Sequence, residues 1–314
     1  MNANAQNPTP LNPTPLNPTP VPILQSVAAA YAFFISHWRP AILAALPFTL
    51  TQAAILILLM QIGPDGTNND ALATLAFGLT LINFVTQVSF TSSMFRMAVR
   101  GDYGGWLHLK VGADEFRVFI VSVLVVLFTL IVAVLVGMFW LAFFSSIVGG
   151  SLERAGVDPE ASGFDLVEAT AYLTAMDWGF VILIGIGCLA VMTWLTARLS
   201  LALPATIDKG EIQVMRIWPL SKGQAWRIAA AILLTTLPLL LLQVGLYELI
   251  GIINGERLLS STVTIGDTME QPAGFQRYGE YIRWFGLMAF LNYPVMSGLY
   301  AYIYRQRIAA PEQN

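Results

Sequence analysis

The sequence predicts an all-α fold: a polytopic helical membrane protein with six transmembrane helices arranged as three hairpins, joined by interfacial cytoplasmic helices. Three observations predict it. Of 314 residues, 56% are hydrophobic and only 11% are charged, less than half of the roughly 25% charged residues in a soluble domain. Six stretches near membrane length, at about 40–62, 71–95, 118–144, 178–197, 228–247 and 284–304, contain no charged residue at all. Each odd-numbered stretch opens on an aromatic–arginine pair, Trp38-Arg39, Phe116-Arg117 and Trp226-Arg227, and each even-numbered one meets an arginine, Arg96, Arg198 and Arg305. One Asp, Lys or Arg at a span centre costs about 2.5–3.5 kcal/mol on insertion scales, which accounts for their absence from all six runs. A soluble protein is under no such restriction at its exposed helix faces.

Residues 1–22 repeat Asn-Pro-Thr-Pro-Leu from Asn7, Asn12 and Asn17. Alternating prolines remove backbone donors and fix φ, so this is a flexible or polyproline-like tail rather than a helix or strand. It carries no basic n-region or apolar h-region and does not read as a cleavable signal. A proline-recognition ligand and a plain tail both fit. From Ile23 to Ser36, Ile23, Val27, Tyr31 and Phe34 recur at helical spacing. A short interfacial helix and an extension of the first span fit equally.

The first span follows Pro40, a residue tolerated in a first turn, and Gly63-Pro64-Asp65-Gly66 ends it with turn chemistry. The second ends at Arg96, before a loop at 97–115. The third, rich in Val, Leu and Ile, exceeds the ~20 residues that cross the hydrocarbon, so tilt or protrusion is expected. In the loop 145–177, Ser162 with Asp165 reads as a helix-start pair, and Phe164, Val167, Ala171 and Met176 as one helix face. The fourth span closes on Arg198. In 199–225, Glu211–Trp218 is predicted as a short helix stopped by Pro219, and Ser221-Lys222-Gly223-Gln224 as a capping box. Pro238 is expected to bend the fifth span. After a polar loop at 248–283 comes the sixth span, with 23–307 as one membrane domain and 308–314 as a short end.

Orientation follows from charge. With six spans, the tail, the two even-to-odd loops and the C-terminus share a side, and that side holds twelve of sixteen Lys and Arg. The positive-inside bias therefore puts both termini in the cytoplasm. The three aromatic–arginine pairs admit two readings, a duplicated hairpin or the general gathering of these residues at interfaces. Leu109-x-x-Gly112 and Leu220-x-x-Gly223, each shortly before its pair, favour the first; the first hairpin lacks the element.

Few residues point to chemistry. His37 and His108 are the two histidines and lie in interfacial segments; no metal-ligand spacing or nucleophile–base pair falls within a span, so no catalytic residue, metal or cofactor is assigned. No basic cluster suggests nucleic acid. Cys188, the one cysteine, is expected to be a small buried hydrophobe, and Gly185-x-Gly187 to mark close helix packing rather than a nucleotide loop. Thr80, Asn83, Gln87 and Thr91 share a face of the second span, with Ser89, Ser92 and Ser93 near its cytoplasmic end. Gln52 and Asn292 are placed to face them, giving either a polar path between helices or interhelical hydrogen bonds of about 0.6 kcal/mol each. Arg39, Arg96, Arg117, Arg198 and Arg227 are candidate contacts for anionic lipid headgroups. Arg198, embedded in an apolar run, reads as a bidentate phosphate donor or as a snorkelling anchor.

Ala197-Arg198-Leu199-Ser200-Leu201-Ala202-Leu203-Pro204-Ala205, followed by Trp218-x-Leu220-Ser221-x-Gly223-x-x-Trp226-Arg227, resembles the membrane domain of bacterial glycerophosphoryl diester phosphodiesterases and related stand-alone multi-span membrane proteins of unknown function. The resemblance covers about thirty of the 314 residues. It implies a multi-helix module of a bacterial inner membrane with interfacial segments between spans. Catalysis in that family belongs to a separate soluble barrel, for which this chain has no room, so the activity is not implied. The expectation is a non-catalytic membrane-embedded partner or lipid-associated module, in contact with the bilayer and with a possible membrane-protein partner. A transporter or lipid-handling protein is the alternative, and an intramembrane enzyme the third reading.

Overall fold

The computed structural model describes residues 20–62, 70–157, 170–253 and 286–308, and the described residues fold as helices joined by turns. Five helical stretches are long and apolar enough to cross a membrane: Ile23–Leu59, Ala71–Arg100, Ala113–Arg154, Ala175–Lys209 and Ala225–Leu246. The residues assigned to most of the tail, the 63–66 turn, the Ser162–Asp165 pair with Phe164 and Val167, most of the 248–283 loop and the 309–314 end lie outside the described set.

The first helix, α1, runs Ile23–Ile62 and absorbs both the segment 23–36 and the first span. It is bent at His37 (φ −121°, ψ 17°). Pro40 is the cause, since its ring has no N–H to offer and crowds the carbonyl four residues back. Side chains take up the slack: Ser36 Oγ donates to the carbonyls of Ala32 and Phe33, and His37 Nδ1 lies 2.9 Å from the Phe33 carbonyl. The first arm does not lie apart from the bundle. Ala30 is buried, and Ile23, Tyr31 and Phe34 pack on the main core, while Leu24 and Ile35 face outward.

Helix α2 (Asp70–Arg100) pairs with α1 along a seam of Ala41, Ala44, Ala45 and Phe48 against Phe90, Met94 and Met97. Small residues on α1 let the helices approach. Helix α3 (Ala113–Arg154) has 42 residues, about 63 Å of helix, twice the ~30 Å hydrocarbon core. Helix α4 (Ala175–Leu199) starts three residues earlier than the charge-free run suggests. Thr174 and Asp177 form a reciprocal capping box, and Arg154 pairs with Asp177 at 2.7 Å to tie the ends of α3 and α4.

The 199–225 segment corrects two expectations. A short helix, α5 (Ala202–Lys209), forms upstream of the predicted one and ends on Gly210 at φ 65°. Glu211–Trp218 is a series of turns, not a helix, because the chain reverses at Gly210 and the Gln213 amide returns to the Thr206 hydroxyl at 3.2 Å. Ser221 caps nothing; its hydroxyl donates to the Trp218 carbonyl. Gln224 Oε1 instead accepts from the Val21 amide at 3.1 Å.

Helix α6 (Ala225–Ile253) contains Pro238. The Tyr31 hydroxyl donates to the Thr235 carbonyl at 2.9 Å, one turn before the proline. The predicted sixth span is described from residue 286, as one helix to Ile308 that passes through a π-turn at Met288–Asn292 before α7 (Tyr293–Ile308). Pro294 explains the π-turn: a missing donor forces the ladder to skip, and the Tyr293 amide reaches back to Met288. Helix α7 packs against α1 and α2 more extensively than against α6.

Loop 101–112 folds back over the end of α2. Trp106 and Leu109 bridge across Leu107 and His108, whose φ values are +50° and +60°. Two successive left-handed residues make a tight turn that favours Asn-Gly, and a side chain there costs about 1–2 kcal/mol per residue. Leu107→Asn with His108→Gly is therefore expected to raise stability by about 1 kcal/mol, net of the lost His108 Nδ1 contact with the Tyr103 carbonyl. A lower thermal midpoint in detergent would show that packing of Leu107 outweighs the strain.

Candidate functional site

The basic ends of the helices gather at one end of the bundle, and the sequence explains how. Three serines on the last turns of α2 anchor the following segment. Ser89 and Ser93 donate to the Lys110 and His108 carbonyls, both at 2.6 Å, and Ser92 donates to Glu115 Oε1 at 3.0 Å. The pattern had marked these serines only as polar; their common partner, the loop and the start of α3, was not readable from spacing.

This folding-back buries Arg96, which is 2% exposed. Its Nη1 pairs closely with Glu115, itself buried, and its Nε lies 3.7 Å from Asp102. Arg96 is thus not a headgroup contact but the centre of an internal ion network. Lys110 donates to Asp102 at 2.9 Å, and that hydrogen bond, with the Gly104 amide, holds the Asp102 carboxyl below its ordinary range. Asp114 sits between Arg100 (2.8 Å) and Arg117 (2.9 Å), so Arg117 also has an internal partner. Arg100 reaches the Ile207 carbonyl, and Arg305 the Val99 carbonyl. Tyr304 donates to Asp208 at 2.8 Å, and Arg307 to the Leu220 carbonyl at 2.8 Å. Arg227 Nε donates to the Val21 carbonyl at 3.2 Å. Arg39 is exposed beside Trp38, 5.2 Å from the ring centroid.

Arg198 is different. Its guanidinium carbon lies 4.4 Å from the Trp194 ring and 4.7 Å from the Trp218 ring, and the two indoles stand edge to face at 5.9 Å. One indole comes from α4 and the other from the turns after α5, so the clamp depends on Gly210 reversing the chain. The cation sits in the corner that the two rings make, each contact contributing about 0.5–2 kcal/mol according to its desolvation. Its Nε is buried without a hydrogen-bond partner. Among the described residues no carboxylate pairs with it. A guanidinium with a buried, unsatisfied Nε and no carboxylate partner among the described residues is suited to donate to an anion. Nearby tryptophans flanking an arginine were visible in the sequence, but Trp218 is twenty residues away and its role was not.

The polar face of α2 divides. Asn83 Nδ2 donates to Gln52 Oε1 and its Oδ1 accepts from Thr51, both at 2.8 Å, with Thr86 nearby. Thr80 bonds its own helix at Ala76, and Gln87 offers its backbone carbonyl to Thr91. Asn292 does not join them. It lies in the π-turn, where its amide and that of buried Gln243 both approach the Met288 sulfur, at 3.3 and 3.8 Å. Thr51 and Gln243 were not singled out from the sequence.

No protein-family model, curated protein or solved structure matches the chain. The site is therefore read from its own residues.

Between α3 and α4 a cavity of about 380 Å³ is lined by Leu135, Val136, Phe139, Ile184, Gly187, Cys188 and Val191. Cys188 is half-buried on its wall rather than packed in a core. The two glycines also separate. A Cβ at Gly185 would stand 3.4 Å from Trp140 Nε1, as close packing requires, whereas one at Gly187 would meet nothing within 4 Å.

Proposed function

We propose that the chain is a non-catalytic integral protein of a bacterial inner membrane that acts as a lipid-associated module. The observation that carries this reading is Arg198, held in the corner of the Trp194 and Trp218 rings with no carboxylate partner among the described residues and its Nε buried without an acceptor. A snorkelling anchor keeps its charged head in water; this cation rests on two indole rings with its Nε buried, which suits a phosphate held beside them. The topology that goes with it has residues 23–307 as six spans in three hairpins, a 1–22 tail, a 308–314 end and both termini in the cytoplasm, as the distribution of Lys and Arg favours. The basic end then lies at the headgroups of the inner leaflet, where anionic lipids are attracted. Likeness to the membrane domain of glycerophosphoryl diester phosphodiesterases, whose quoted stretch contains Arg198 and Trp218, fits the same role. The amide of Asn83 is already engaged on both its polar ends, which favours helix packing over a path.

Purified protein is expected to retain anionic phospholipid above its share of the membrane, and Arg198→Ala to lower that excess roughly five-fold, as loss of one headgroup contact implies. Lipid extracts analysed by mass spectrometry decide it. Retention in bulk proportion, or an excess indifferent to Arg198, would sink the proposal.

A further inference from the structure

We infer that the cavity between α3 and α4 holds one acyl chain of the anionic phospholipid whose phosphate is bound at Arg198. The inference rests on the lipid reading of Arg198 and adds a place for the tail. Three observations carry it. The helices converge at both ends and part between them. Phe144, Val148 and Leu152 cluster with Val181 at one end, and Val121, Leu195 and Leu199 are buried in one common core at the other. No buried residue of α3 falls between Val121 and Phe144. The cleft is thus part of the fold, with Gly187 keeping it open.

The cleft also shares a face of α4 with the cation. Val191, Gly187 and Ile184 line it, and they precede Arg198 by about two, three and four whole helical turns. All three therefore lie on the stripe of α4 that ends at the guanidinium. Along the axis they stand about 10–21 Å from it, which brackets the ~15 Å of one leaflet's hydrocarbon. A phosphate at Arg198 delivers a chain to this depth on this face.

The lining, finally, selects a chain. The lining is wholly apolar, which suits methylene groups and nothing that needs a hydrogen bond.

The test uses the full chain in phosphatidylcholine vesicles containing a minor fraction of a phospholipid with a mid-chain diazirine, either phosphatidylglycerol or phosphatidylcholine. After photolysis, peptide mass spectrometry maps the adducts. With phosphatidylglycerol, adducts are expected within 135–139 and 184–191, roughly five-fold above phosphatidylcholine. Arg198→Gln should remove that excess. Gly187→Leu, whose side chain enters open space, should lower the adducts several-fold in a protein that still folds. If anionic lipid is retained through Arg198 yet adducts fall elsewhere, or Gly187→Leu leaves them unchanged, the acyl site is overturned while the headgroup reading stands. If no anionic lipid is retained at all, both are overturned.

Discussion

Glu115→Ala is expected to destabilise the folded protein by about 3–5 kcal/mol, the cost of stranding a buried cation. Arg96 has nowhere else to go. It is 2% exposed, its Nε and Nη2 already lack hydrogen-bond partners, and Asp102 at 3.7 Å is more distant than Glu115. Ser92 also loses the acceptor of its hydroxyl, though Arg96 Nη1 still lies 3.3 Å from Ser92 Oγ. The pair itself is a weaker asset than its loss suggests, since desolvation of both charges offsets most of their attraction. The double variant Arg96→Met with Glu115→Leu should therefore recover most of the stability that Glu115→Ala loses. Unfolding of the three proteins in detergent micelles makes the comparison. A loss below about 1 kcal/mol for Glu115→Ala, the scale of an exposed pair, would mean that water reaches Arg96.

Gly298→Ala is expected to cost about 1–3 kcal/mol, the range for overpacking. A methyl group there would stand 2.8 Å from Phe33 Cβ and 2.9–3.0 Å from its ring carbons. The Cβ is fixed to the backbone of α1, so relief requires α1 and α7 to separate. Helix propensity pulls the other way, favouring alanine over glycine by about 0.8–1 kcal/mol. The clash should win while Phe33 is present and vanish without it. In a Phe33→Ala background the same change should therefore turn neutral or stabilising, a sign reversal that a double-mutant cycle reads directly. Additive effects would place the helices further apart than described.

The long apolar helices were legible because a bilayer imposes length and excludes charge, and both are one-dimensional properties. Five of the six predicted runs lie in helices long and apolar enough to span. The sixth is described only from residue 286, and what the pattern did not announce there is the π-turn at Met288–Asn292 ahead of Pro294, a change of helix type that hydropathy averages away. Charge asymmetry was legible as a count but not as contacts. Arg96, Arg117 and Arg198 look alike beside their spans, yet one is buried on Glu115, one pairs with Asp114 and one is clamped by indoles. What separates them is where the connecting segments fold back. That depends on Gly210 and on three serine hydroxyls whose acceptors lie 15 to 23 residues away. Such acceptors are backbone carbonyls or a single carboxylate, and no residue pattern announces them. The Asn83 cluster was half visible: Gln52 was expected opposite it, Thr51 was not, and Asn292 belongs to another neighbourhood.

The first arm of α1 has a consequence for how the protein is made. Val21, just before it, is tied to Gln224 and Arg227, and its own Tyr31 to Thr235, partners that follow by 203 to 206 residues, and its Phe33 lies against Gly298. A chain emerging from the ribosome inserts α1 first, yet the surfaces that bury this arm are synthesised last. At the ~5–20 residues per second of synthesis, some 200 residues take about 10–40 s. Throughout that interval the earliest helix waits with its protein-facing side against lipid or an insertion factor. Truncation after α4 would leave it waiting permanently.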